Sequence, residues 1–277
     1  KFSKFYKKNI IKISDFFSYE NLRKKVKKKA KLITSISMFY DLEDPVKFAQ
    51  DVEMILSNDG IWHFEQSYMP TMVNNISYDT ICHEHLEYYS LLSLKYVLEK
   101  ADLKIINIEF NDINGGSFAL SVAKKNSHYK EEKRLVNWLL KKEKTLKIDE
   151  PQTFINFYKK CLNHKKVLLD LLKNLKDMKK RVLGYGASTK GNVILQFCGI
   201  DSKLINYIGE VNKFKFNKFT PGSNIKIISE KKMWDMKPDY LLILPWHFKN
   251  FFLEKEKKNI IKRGTKLIIP LPDIEII

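Results

Sequence analysis

Residues 181–199 read RVLGYGASTKGNVILQFCG, and this stretch decides the fold class. Arg181 to Ala187 is a short apolar run ending in glycines, the pattern of a buried strand entering a tight turn. Lys190 to Cys198 carries apolar residues at helical spacing, and Gly199 stops it. Strand, glycine turn and helix in that order open an α/β unit with a parallel sheet. Glycines allow a ligand to approach the backbone, and a helix N-terminus attracts anions. The spacing is not GxGxxG, and Lys190 precedes Gly191-Asn192 rather than ending a P-loop. Spacing alone leaves a tight strand–helix turn and phosphate binding equally open.

The same alternation continues on both sides. C-terminal to the stretch, Leu204–Gly209, Ile225–Ile228, Tyr240–Pro245 and Lys266–Pro270 read as strands. N-terminal to it, His128 to about Met178 is helical and heavily charged, with a break near Glu150-Pro151. Earlier still, Asn9–Ser14 and Lys31–Phe39 read as strands, and Asp44–Asn58 as a helix stopped by Gly60. Ile61–Glu65 is a further strand and Ser90–Ala101 a further helix. Leu103–Phe110 and Ser117–Ala123 form a strand pair turned by Asn114-Gly115-Gly116. The expectation is an α/β protein in three parts: 1–126, a helical connection 127–178, and a second Rossmann-like unit 179–277.

Composition narrows the class. The net charge is +18, but only Arg23, Arg134, Arg181 and Arg263 are arginines. Arginine's bidentate fork is the usual reader of base edges and phosphates, so a lysine-rich solvated surface is the simpler reading. An anionic nucleotide diphosphate would also be drawn by such a field. No run of about 18 apolar residues suggests a transmembrane helix, and the opening KFSKFYKKN is not a signal peptide. Cys82, Cys161 and Cys198 are far apart and form no CxxC pair, which fits a reducing cytoplasm. Because the first residue is Lys1, the chain is expected to be a fragment or processed product.

The densest chemistry lies in residues 78–89, YDTICHEHLEYY. His83, Glu84 and His85 put two imidazoles beside a carboxylate. Histidine suits proton transfer near neutral pH, and a neighbouring carboxylate fixes its tautomer. In an extended segment His83 and His85 share a face; in a turn all three converge. A polar surface loop is the bland alternative. HExxH is absent, since position 87 is Glu, so no metal is expected here. Ser35, Ser37 and Met38 at a strand's end, near Tyr40, leave room for a ligand at an open sheet's edge.

Taken in order, these pieces resemble the S-adenosylmethionine-dependent sugar C-methyltransferases, which methylate a ring carbon of a nucleotide-linked keto-sugar. Four stretches carry the resemblance: YDTICHEHLEYYSL at 78–91, NGGSFALSVAKK at 114–125, LGYGASTKGNVILQFCGI at 183–200, and FTPGSNIKI with DYLLILPWHF at 219–248. It implies an incomplete Rossmann-like methyltransferase domain followed by a second Rossmann-like domain. Zinc is expected only in a cysteine-rich N-terminal segment that this chain does not show. S-adenosyl-L-methionine is the implied cofactor, with Asp15, Phe16, Ser35, Ser37 and Met38 as its remaining wall. His85 is the implied base, with His83 and Glu84 orienting it or the sugar. Tyr40, Cys82, Tyr88, Gly115, Gly116, Ser117, Gly186, Lys190 and Asn192 are the implied substrate contacts. The chain departs from the family pattern at Cys82, where members carry Tyr, and at Tyr40, which aligns with a His.

Two other classes compete. A nicotinamide-dependent oxidoreductase would use the Gly184–Gly191 loop, with Glu210 at the end of the next strand as its ribose ligand. A non-catalytic basic module would bind RNA with steep salt dependence. The methyltransferase reading expects neither nucleic acid nor membrane as partner.

Overall fold

A computed structural model describes residue 6 and residues 9–277; most of the opening basic stretch, residues 1–5 and 7–8, lies outside the described residues. The elements in chain order are α1 (Tyr19–Lys25), β1 (Ala30–Ile36), α2 (Pro45–Ile55), β2 (Leu56–Ser67), α3 (Met69–Asn74), α4 (Leu91–Lys100), β3 (Leu103–Asn111), β4 (Ser117–Lys124), α5 (Lys133–Thr145) and α6 (Pro151–Asp177). They continue with β5 (Val182–Tyr185), α7 (Thr189–Cys198), β6 (Tyr207–Glu210), β7 (Lys226–Ser229), α8 (Glu230–Asp235), β8 (Tyr240–Ile243), α9 (Lys249–Arg263), β9 (Lys266–Ile269) and β10 (Glu275–Ile276).

The chain forms two compact units that interleave in sequence. Unit 1 comprises residues 1–69, 86–111 and 116–149; unit 2 comprises 70–85, 112–115 and 150–277. These boundaries differ from a division at 126 and 178. The helical stretch splits at Pro151, whose missing N–H costs nothing at the first position of α6.

Unit 1 is built on a four-stranded mixed sheet of order β1-β2-β4-β3, with β1 parallel to β2 and β4 antiparallel to both its neighbours. Along β2 every second residue from Trp62 is buried, so Trp62, Phe64 and Gln66 face inward. Phe39, Phe48, Trp62, Phe64 and Tyr89 form one aromatic cluster, with the Trp62 and Phe64 rings stacked at 4.3 Å. Helices α2 and α4 cover it with Ala49, Val52, Leu94 and Leu98.

Three local expectations for unit 1 are corrected. Asn9–Ser14 is not a strand; Ile10 and Ile11 are exposed, with no ladder to satisfy the backbone. The strand from Lys31 ends at Ile36 because Ser37 takes φ +52°. Gly60 does not stop α2, which ends at Ile55; it lies inside β2, where the register jumps from Ala30–Leu56 to Leu32–Ile61. A Cβ at position 60 would sit 2.7 Å from the Ala30 carbonyl oxygen, so only glycine allows this bulge.

Unit 2 has a six-stranded sheet of order β10-β9-β8-β5-β6-β7, parallel except for β10. The chain runs β5, β6, β7 outward, then returns to the other side of β5 with β8. That reversal is the topological switch point of a doubly wound fold, between β5 and β8. Strand residues are buried on both faces, as a sheet covered on both sides requires. The residues expected as a strand at 204–209 instead begin the strand at Tyr207, after a turn through Leu204 and Ile205. Helix α9 escapes the periodicity reading because KNFFLEKEKKNIIKR buries only Phe252 and Glu256. Among the described residues no helix is long and apolar enough to cross a membrane.

Candidate active site

The His83–His85 segment is a turn. The His85 amide donates to the Cys82 carbonyl at 3.1 Å, with His83 and Glu84 at the exposed corners and His85 half-buried. This decides between the extended and turned arrangements that the sequence leaves open. His85 Nδ1 lies 2.7 Å from the Thr80 carbonyl oxygen. A carbonyl only accepts, so Nδ1 carries the proton and Nε2 is the basic nitrogen of the neutral ring.

Thr80 closes a 3-10 turn, Tyr78–Thr80, that is held from several directions within unit 2. Asp79 is fully buried, and its Oδ2 accepts the indole N–H of Trp246 at 2.7 Å. Burial holds the Asp79 carboxyl above its ordinary value, and the nearby Lys190 charge and the Trp246 hydrogen bond only partly oppose this. Its Oδ1 has no hydrogen-bond partner among the described residues. His164 Nε2–H donates to the Pro270 carbonyl at 2.5 Å, so its Nδ1 accepts from the Tyr78 hydroxyl at 3.1 Å. Cys198 in turn lies 3.3 Å from the Tyr78 oxygen. Burial raises the Tyr78 hydroxyl and the Cys198 thiol, and lifts Cys161 to about 11. None of these three is a ready nucleophile.

Lys190 sits in the first turn of α7, and its ammonium donates to the Asn114 carbonyl at 2.6 Å. Burial lowers its pKa, while Asp79 and Cys82 oppose the fall. The Asn192 side-chain oxygen is buried without a partner among the described residues. The glycines around these residues serve packing. A Cβ on Gly115 would lie 2.9 Å from the Trp246 ring, and one on Gly186 2.7 Å from Pro245. Both have positive φ, which adds a second reason for glycine.

Glu210 does not stand open as a ribose ligand. Its carboxylate accepts from the Ala187 amide at 3.0 Å and from the Val211 and Asn212 amides at 2.8 and 2.9 Å. Lys215 lies 3.6 Å from it. The carboxylate is thus engaged by three backbone amides, which counts against Glu210 as the ribose ligand of a dinucleotide. The adjoining cavity of about 260 Å³ is lined by Tyr185, Pro245 and Phe252.

In unit 1 the expected cofactor residues lie at two places. Phe17 packs on Phe48 in a tilted pair at 4.7 Å, and the neighbouring Phe16 is 91% exposed; Asp15 Oδ1 accepts the Phe16 amide at 2.8 Å. Ser35 is buried with its hydroxyl bonded to the Trp62 indole N–H at 3.0 Å, whereas Ser37 and Met38 turn away from the end of β1. Tyr40 is buried, and its carbonyl accepts from the Leu86 and Glu87 amides. Tyr88 lines a cavity of about 900 Å³ with Val46, Tyr96, Leu140 and Glu143, a size suited to a small molecule. Gly116 accepts the Tyr68 amide through its carbonyl, and Ser117 is buried opposite Ser67 in the ladder. No group of three or more histidine, cysteine or carboxylate side chains is placed to hold a metal among the described residues.

Asp79, Trp246 and His247 do not stand out in the sequence as site residues, although all three lie in the stretches that carry the resemblance. Their signal was polar or aromatic residues set inside apolar runs. His247 is held down to about 4 by burial and by the Lys190 charge, and burial also lowers His164. Below the unfolded value of about 6.5, the unfolded chain binds protons that the folded chain refuses. Stability should therefore fall as pH drops through 6.5 toward 4. Thermal midpoints should fall less steeply over that range in His247→Asn than in the parent; equal slopes would exclude the assignment.

A doubly wound unit carrying the Tyr78–His85 and Lys190 elements, together with a mixed-sheet α/β unit, makes a two-unit Rossmann-like protein. The C-methyltransferase C-terminal domain family matches residues 112–272, and the chain belongs to that family. It is 29% identical over 248 residues to the C-methyltransferase NovU of Streptomyces niveus, covering 90% of this chain and 59% of that protein. The chain thus spans about three-fifths of that relative's length. A methyltransferase structure described as S-adenosylmethionine-dependent, from Clostridium acetobutylicum ATCC 824, is 13% identical with a TM-score of 0.28, over 36% of this chain and 60% of that one.

Proposed function

We propose that the protein transfers a methyl group from S-adenosylmethionine to a carbon beside a ketone on a nucleotide-linked sugar. Membership of the C-methyltransferase family and the likeness to a named C-methyltransferase support the reaction class. The observation that carries the mechanism is the His85 Nδ1–Thr80 carbonyl contact, which gives Nε2 the lone pair a carbon acid requires. His85 Nε2 takes the proton on the carbon next to the ketone, and the electron pair moves onto the ketone oxygen as an enolate. S-adenosylmethionine supplies an electrophilic methyl when bound. Asp15, Phe16, Ser35, Ser37 and Met38 would hold it. Glu84 and His83 orient the base or the sugar, with Tyr40, Cys82, Tyr88, Gly115, Gly116 and Ser117 as further substrate contacts. Lys190, Gly186 and Asn192 are assigned to the anionic diphosphate, for which the first turn of α7 offers a helix N-terminus and a lysine side chain. Asp79 offsets part of the charge there.

The test is transfer of a labelled methyl to a nucleotide-linked keto-sugar, with the product located by carbon NMR. Label on ring carbon is expected; label on oxygen or nitrogen only would overturn the reading. A second expectation needs no methyl donor. In heavy water the protein should exchange the hydrogen beside the ketone, and His85→Ala should abolish that exchange. Exchange at the parent rate in His85→Ala would remove His85 as the base.

A further inference from the structure

We infer that Asp79 is a positioning residue for His85, acting through the single peptide unit between Thr80 and Ile81. That unit is held on both sides. Its C=O accepts the His85 Nδ1–H at 2.7 Å, and its N–H donates to the Tyr78 carbonyl at 2.9 Å. The Thr80 amide donates in turn to Ser77 at 3.1 Å. A peptide gripped at both ends cannot rotate its carbonyl away from the imidazole without breaking the turn. The turn itself has two side-chain anchors. Tyr78 reaches His164 on α6, and Asp79 reaches Trp246 just after β8. All of these residues belong to unit 2.

The Asp79 anchor is the costly one. A fully buried carboxylate with one oxygen unpartnered among the described residues is a poor choice for stability alone. An apolar side chain would fill the space at lower desolvation cost. What the side chain adds is a directed hydrogen bond from an indole N–H, and electrostatic coupling to Lys190 at the start of α7. The hydrogen bond is a directional constraint on the residue next to Thr80. The consequence is a fixed His85 tautomer, with the lone pair at Nε2.

Nitrogen NMR of the 277-residue chain labelled at its six histidines tests this, with His85 assigned by its loss in His85→Ala. The parent should show a protonated Nδ1 and an unprotonated Nε2 at His85. Asp79→Ala should convert these signals to a tautomer average, whereas Asp79→Asn, which keeps an acceptor for Trp246, should retain the parent pattern. Trp246→Phe removes the indole donor while keeping an aromatic ring, and should reproduce the Asp79→Ala pattern, which covers the case that Asp79→Ala does not fold. An unchanged tautomer in a folded Asp79→Ala or Trp246→Phe overturns the inference. The kinetic arm rests on the reading of His85 as base. There kcat should fall by about 100-fold in Asp79→Ala, the scale expected when a reacting group is misplaced by about 1 Å, with KM for the sugar little changed. A tautomer change with unaltered kcat would overturn the base assignment and leave the positioning role standing. A fall in kcat without a tautomer change would overturn the positioning role.

Discussion

Replacing His85 by alanine is expected to lower methyl transfer by about 10²–10⁴-fold, the usual contribution of a positioned general base, while S-adenosylmethionine binding by calorimetry stays unchanged. The proposed base touches only the sugar, so its loss should appear in kcat and in kcat/KM together, the pattern of an interaction made in the transition state. A deuterium label on the carbon beside the ketone sharpens the result. With the base weakened, proton removal becomes rate-limiting, so the isotope effect on kcat should grow in partially active variants such as His85→Gln. His83→Ala and Glu84→Ala should act more on KM, because their side chains lie at the exposed corners of the turn. Equal losses of kcat in all three variants would contradict the division of roles proposed for them.

Glu143→Ala should be the most destabilising single change in unit 1 among its charged residues, by about 3–5 kcal/mol, read from urea unfolding. Glu143 lies on the apolar stripe of α5, four residues after Leu139 and seven after Val136, where an unpaired carboxylate would be costly. Its carboxylate is buried, 3% exposed. It accepts from the Leu91 amide at 2.6 Å, the Leu92 amide at 3.0 Å and the Tyr68 hydroxyl at 2.8 Å. The two amides open α4, so the carboxylate neutralises orphan donors and meets the positive end of that helix. Removing it leaves three donors unpartnered, two of them deeply buried, at roughly 1–3 kcal/mol for each fully buried group. Glu143→Gln keeps one acceptor oxygen and should cost less than half as much. A loss below about 1 kcal/mol for Glu143→Ala would show that water replaces the carboxylate without penalty.

Much of the local structure is legible in residue order because it depends on neighbours along the chain. The GYGASTKG turn announces the β5–α7 junction, since a strand, glycines and a helix-spaced apolar stripe are local signals. Pro151 marks the start of α6 for the same reason. The failures have physical causes too. Ile10 and Ile11 look like a strand, yet a strand needs a partner that no local pattern supplies. Gly60 looks like a helix stop, but it answers to the Ala30 carbonyl thirty residues earlier.

The His83-Glu84-His85 cluster, the glycine turns and the alternation of strands and helices were determined by the sequence alone, because each is written within a dozen residues. The antiparallel insertion of β4 between β2 and β3, the engagement of Glu210 by the Ala187, Val211 and Asn212 amides, and the meeting of Asp79 with Trp246 across 167 residues of chain emerge only in the folded molecule. Side-chain periodicity encodes which face of an element is apolar; it carries no address for the distant segment that will cover it. For that reason the tautomer of His85, set by a carbonyl five residues away in a turn anchored much farther off, could be read only from the folded chain.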